Sequence, residues 1–115
     1  MNSTLALADA RITIAGLGLM GGSLALALRG KCSHVTGVDV DAQACAAALA
    51  GQVVQAVESE LHAGIANADV LVLATPVGVI LQQLQALKAL TSGRKAALVV
   101  LDLGSTIRRR RHSRQ

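Results

Sequence analysis

Ile12-Thr13-Ile14-Ala15 runs directly into Gly16-Leu17-Gly18-Leu19-Met20-Gly21, and a helix-forming run, Ser23 to Leu28, follows at once. An apolar β-type run, a turn with glycines at its first, third and sixth places, and a helix form the pattern that cradles a dinucleotide pyrophosphate. Gly16 permits the tight turn out of the strand. Gly18 lets a pyrophosphate approach the backbone, and Gly21 lets the helix pack closely on the sheet. Backbone N–H groups around Leu19 and Met20, at the start of the helix, would meet the phosphate charge. Glycine-rich chains also produce this spacing by chance, and 11 glycines are present, so the rest of the chain has to supply the context.

Hydrophobic periodicity supplies much of it. The first strand is Arg11 to Ala15, and the helix after it runs from Gly18–Leu19 to Gly30. His34 to Asp39 reads as a second strand. Asp41 is placed to cap a helix over Ala42 to Ala50, closed by Gly51. Val53-Val54 reads as a weak third strand, and Glu58 to Ala68 as a short helix or loop. Asp69 to Thr75 is a near-continuous apolar run suited to a central parallel strand, and Pro76 ends it. Val77, Ile80, Leu81, Leu84, Leu87 and Leu90 fall at helical spacing. Thr91-Ser92-Gly93 breaks that helix, and Ala96 to Leu103 is the fifth strand. Strand–helix alternation of this kind predicts an α/β fold, a doubly wound parallel sheet of Rossmann type with strand order 3-2-1-4-5. The expected division is a dinucleotide-binding domain over residues 1–106 and a basic, disordered tail over 107–115.

Bulk properties narrow the function classes. At 115 residues the chain builds one core. It has no Phe, Trp or Tyr, which argues against a base-stacking platform for single-stranded nucleic acid. The formal charge of +4 resides in the tail: Arg108 to Arg111 and Arg114 are five of the 11 basic residues, leaving six against seven acids. Nucleic-acid binding through this run is not favoured, because no supporting motif accompanies it. Cys32 and Cys45 read as free thiols. No metal-ligand spacing, signal peptide or membrane-spanning run is evident, so a cytoplasmic protein without a membrane partner is expected.

A second constellation gathers where the strands end. Asp39 follows Gly16 by 23 residues, the place of the acid that accepts the adenosine ribose hydroxyls. No Arg or Lys lies between Val40 and Gln52 to pair with a 2′-phosphate, so NAD is favoured over NADP. Ala74, Thr75 and Pro76 close the fourth strand at the switch point beside the first, on the cofactor side. Ser105, in Asp102-Leu103-Gly104-Ser105-Thr106, could offer a hydroxyl where the nicotinamide end and the substrate should lie. His34, His62 and His112 are all poorly placed for hydride transfer and read as surface histidines.

Gly16 to Leu28 (GLGLMGGSLALAL), Gly37-Val38-Asp39, Ala68 to Val77 (ADVLVLATPV) and Asp102 to Thr106 (DLGST), in this order and spacing, resemble the prephenate/arogenate dehydrogenase family of tyrosine biosynthesis. The resemblance covers about Arg11 to Thr106. It implies NAD(P)-dependent oxidative decarboxylation of prephenate or arogenate. It places Gly16, Gly18, Gly21, Asp39 and Ala74 to Pro76 among the cofactor contacts, and Ser105 beside the reacting ring hydroxyl. The family's catalytic histidine lies in an H-P-M/I-A-G motif that this chain does not contain, and its helical domain is also missing. Ile107 stands where the family often has lysine. The expectation is therefore a truncated, NAD-binding part of such an enzyme, inactive alone, whose choice between prephenate and arogenate is unreadable. Its uncovered fifth strand would be prone to self-association. The alternatives are a 3-hydroxyacid dehydrogenase-like cofactor domain and a non-catalytic nucleotide-binding module.

Overall fold

β-branched and aliphatic residues form the strands, and alanine-rich runs form the helices between them. The computed structural model describes residues 6–75, 82–87, 91 and 97–103. After a 3-10 turn at Leu7–Asp9, β1 is Arg11–Ala15 and α1 is Leu19–Leu28. β2 is His34–Val38, and α2 is Ala42–Ala50. β3 is Ala56–Glu58, α3 is the single turn Leu61–Gly64, and β4 is Val70–Leu73. Residues 82–87 are helical, and β5 is Val99–Asp102. The Pro76 turn, the remainder of the helix expected over 77–90, and residues 104–115 lie outside the described residues.

The five strands form one parallel sheet in the order β3-β2-β1-β4-β5, the doubly wound Rossmann-type arrangement. Alternation along the strands divides the core into two layers. On one face Ile12, Ile14, Val35 and Val72 pack with Ala25 of α1 and Ala48 of α2. On the other, Ala15, Val38, Leu71 and Leu73 pack with Ile65, Ala68 and Leu87. Among the described residues no helix is long and apolar enough to cross a membrane.

One local expectation is corrected. The third strand is Ala56–Glu58, not Val53-Val54. The N–H groups of Val53 and Val54 both donate to Ala48 O, at 2.8 and 3.4 Å, so these residues finish the turn off α2. Sheet pairing starts only where Gln55 N–H donates to Val35 O. Gly51 closes α2 as expected, in ordinary backbone geometry (φ −81°). The left-handed residue is Gln52 (φ 58°). Asp41 caps α2 as expected, its Oδ1 accepting from the N–H groups of Gln43 and Ala44.

α3 sits very close to the sheet, because a Cβ on Gly64 would collide with Val38 Cγ2. The buried Thr13 hydroxyl donates to Gly64 O at 2.7 Å and ties this turn to the central strand. Thr13→Val keeps the shape but removes the donor, leaving a buried carbonyl short of a partner. A loss of about 1–2 kcal/mol is expected, read as a lowered melting temperature by far-UV circular dichroism.

Candidate nucleotide site at the carboxyl ends of the strands

Main-chain hydrogen bonds continue past the strand ends and fix the site in register. Gly16 N–H donates to Val38 O, Asp39 N–H to Glu58 O, and Ala74 N–H to Ala15 O. The glycine turn, the acid after β2 and the end of β4 therefore converge on one edge.

The three glycines hold three different positions. Gly16 has φ +100°, and a Cβ there would stand 2.8 Å from Thr75 Cγ2 and 3.0 Å from the Ala74 carbonyl. A Cβ on Gly21 would overlap the Gly16 carbonyl oxygen, so α1 rests directly on the turn that precedes it. Gly18 is exposed with open space above it: an added Cβ meets nothing within 4 Å. Gly18 also N-caps α1, with no side-chain cap bond and no acid in the first turn. The leading N–H groups of the helix, around Leu19 and Met20, thus form an uncompensated positive end beside that space.

The Asp39 carboxylate performs a task that spacing alone did not reveal. Its Oδ2 accepts from Leu17 N–H at 2.9 Å, and its Oδ1 accepts from Asp41 N–H at 2.9 Å. It staples the glycine turn to the end of β2 while remaining part-exposed. The Leu17 side chain adds to the hold, lying in the notch left by Gly37, where a Cβ would stand 2.8 Å from Leu17 Cδ1. Leu17 and Gly37 fit together to hold the turn, a pairing that sequence reasoning missed; the glycine inside an otherwise β-branched strand was the available signal.

The Thr75 hydroxyl does not stand free toward a ligand. It donates to Gln83 Oε1 at 2.8 Å, while its methyl lies against Gly16. Pro76 and Ser105 lie outside the described residues. Val40 was also overlooked. It follows Asp39 directly and is 91% exposed, while Leu19 across the turn is 89% exposed. Two bare aliphatic side chains thus flank the acid and the helix end. His34 lies at the opposite, amino end of the sheet, half-buried rather than fully at the surface.

The family profile described as the nucleotide-binding domain of prephenate dehydrogenase matches residues 24–111. That match begins inside α1, so the glycine turn rests on its own geometry. The prephenate dehydrogenase of Bacillus subtilis (strain 168) is 36% identical over 99 residues, 83% of this chain and 26% of that protein. The crystal structure of Synechocystis arogenate dehydrogenase superposes with a TM-score of 0.69 at 29% identity, covering 80% of this chain and 32% of that one. The WlbA dehydrogenase of Bordetella pertussis, solved with NADH and UDP-GlcNAcA, gives 0.62 at 26% identity, covering 84% and 29%. The chain therefore spans about a quarter to a third of these relatives. The glycine turn, the acid after β2 and these matches agree: this chain belongs to the prephenate dehydrogenase family, in its nucleotide-binding domain.

Proposed function

We propose that this chain binds NAD across Gly16 to Gly21 and Asp39, as the cofactor-holding part of an enzyme that oxidatively decarboxylates prephenate or arogenate. The observation that carries this reading is the open space over Gly18 beside an uncapped helix start, with a carboxylate one strand away. The N–H groups of α1 hold the pyrophosphate, and Asp39 orients the adenosine ribose. Val40 and Leu19 offer apolar surface to the adenine. Bound NAD supplies the hydride acceptor. Ala74, Thr75 and Pro76 border the cofactor, and Ser105 serves the substrate side. The WlbA complex with NADH supports the same cofactor class. Asp39, with no basic residue between Val40 and Gln52, favours NAD over NADP.

Calorimetric titration with NAD tests the reading. Saturable binding, abolished in Gly18→Val while that variant remains folded, is the expected result. Absence of NAD binding by the folded parent overturns it. The 115 residues contain no H-P-x-A-G segment to supply a general base, so the chain alone forms no NADH from prephenate; measurable turnover by pure chain would contradict this.

Self-association through β5 accompanies this reading. β5 is the edge of the described sheet. Val99 and Leu101 are 53% and 50% exposed, and their register with Val70 and Val72 places them on the face shared with α1 and α2. An apolar edge strand is a template for pairing with another chain. The parent should sediment as dimers or larger species, and Leu101→Lys should shift it toward monomer. A monomeric parent at high concentration counts against the idea.

A further inference from the structure

A parallel sheet with helices on both faces normally carries apolar side chains on both. This sheet departs from that rule in one region. On the face covered by α3, β1 presents Arg11 and Thr13, β2 presents His34 and Thr36, and β3 presents Glu58. The single-turn α3 leaves a cavity of about 260 Å³ over them, which extends to Asn67. That is room for several waters, at about 30 Å³ each, or for one small polar molecule.

The charges in this cavity are arranged asymmetrically. Arg11 and His34 are register partners at the amino ends of β1 and β2, on neighbouring strands about 4.8 Å apart. Thr36 Oγ1 lies 3.3 Å from His34 Nδ1, which leaves Nε2 for a ligand. Burial, and then the nearby Arg11 charge, hold the His34 imidazole below its ordinary value of 6.5. Asp69 lies beside Arg11, and Glu58 lines the far end of the cavity. Asp69 Oδ2 accepts from the Arg11 main-chain N–H at 2.9 Å. Glu58 pairs in register with Val38, four residues beyond His34 along the strand, about 13 Å at 3.3 Å per residue. His62 of α3 is exposed and outside the cavity lining.

The geometry points to a second binding site here: a small oxyanion, carboxylate or phosphate, held between Arg11 and His34 beneath α3, at the end of the sheet away from the nucleotide turn. An anion there favours the imidazolium, so binding takes up a proton and tightens as pH falls. Without the anion the pH effect on folding has the other sign. The unfolded chain protonates His34 more readily than the folded one, so this group lowers stability as pH falls through 6.5.

Calorimetric titration of the full chain with inorganic phosphate and, separately, malonate tests the site, with the His34 ring followed by NMR. Saturable binding is expected, with malonate, whose charge changes little over this range, held more tightly near pH 6 than near pH 8. Arg11→Gln, on an exposed side chain, should weaken it at least about tenfold. His34→Gln should leave only the pH dependence of each anion's own ionisation. Saturating NAD should leave it in place. Phosphate binding alone assigns the site to phosphate, and malonate binding alone to carboxylates. No binding of either anion overturns the site, as does unchanged affinity in a folded Arg11→Gln. Displacement of the anion by NAD, or His34 resonances that do not move, would do the same.

Discussion

Gly21→Ala is expected to lose at least about 3 kcal/mol of stability, whereas Gly22→Ala, one residue on, should gain up to about 1 kcal/mol. Both glycines lie in α1, where alanine is ordinarily the better residue by about 1 kcal/mol. Helix propensity alone therefore predicts the same sign for both. Packing reverses it at Gly21, because a Cβ there would overlap the Gly16 carbonyl oxygen, a backbone group with no room to yield. At Gly22 the nearest atom to an added Cβ is Leu17 O at 3.8 Å, an ordinary contact. Gly18→Ala completes the series. The added methyl meets no protein atom, so stability should change by less than about 1 kcal/mol, while NAD affinity falls because the methyl stands where the pyrophosphate approaches. A loss of about 3 kcal/mol is a large part of the stability of a small domain. It should lower the melting temperature by more than about 10 °C. Far-UV circular dichroism is the appropriate probe, since a chain without Phe, Trp or Tyr has no aromatic signal. Equal melting temperatures for Gly21→Ala and Gly22→Ala would sink this account of the turn.

The same contrast shows which parts of the molecule were legible in the chain. β1 was readable to the residue, because an apolar run meeting a glycine turn has one sensible boundary. The capping of α2 by Asp41 was readable because a cap is a local bond, two and three residues long. The strand order followed from the alternation of elements and the handedness of crossovers. β3 was misplaced because Val53-Val54 has strand composition, yet its N–H groups are taken by Ala48 O. That competition is invisible in a propensity. Gly51 closes α2 as expected, and the left-handed backbone falls on Gln52 after it. In the site, the glycines and Asp39 were legible as positions, but their partners were not. Asp39 bonds a main-chain N–H 22 residues earlier, and the Thr75 hydroxyl is taken by Gln83. The polar face of Arg11, Thr13, His34 and Thr36 went unread because each strand shows only two such residues. Only register stacks them into a cavity wall.

Asp39→Ala should weaken NAD binding by about one to two orders of magnitude, near 1.4–2.8 kcal/mol, and should also destabilise the free chain. Two effects combine in this variant. The N–H groups of Leu17 and Asp41 both lose an acceptor, and the first is part-buried, so about 1–3 kcal/mol of stability goes with them. The glycine turn then loosens, which weakens any ligand that uses the helix end. Separately, a ribose contact is lost. The two effects are separable by comparing NAD with NADP. Both nucleotides carry the same pyrophosphate, so a loosened turn weakens them alike and leaves their ratio unchanged. Loss of the ribose contact weakens NAD alone, and removal of the carboxylate relieves its repulsion of a 2′-phosphate, so the ratio moves toward NADP. Asp39→Asn isolates the second effect further. Its carbonyl oxygen can still accept one of the two N–H groups, so the turn is partly kept while the charge is gone. The expected order of stability is parent, then Asn, then Ala. The expected shift in NAD to NADP preference is of similar size in both variants, because both lack the charge. A preference that does not move in either variant would leave Asp39 as a staple of the turn and remove it from ribose recognition. A preference that moves in Asn while stability barely changes would establish that the same carboxylate holds the turn through its main-chain bonds and selects the nucleotide through its charge.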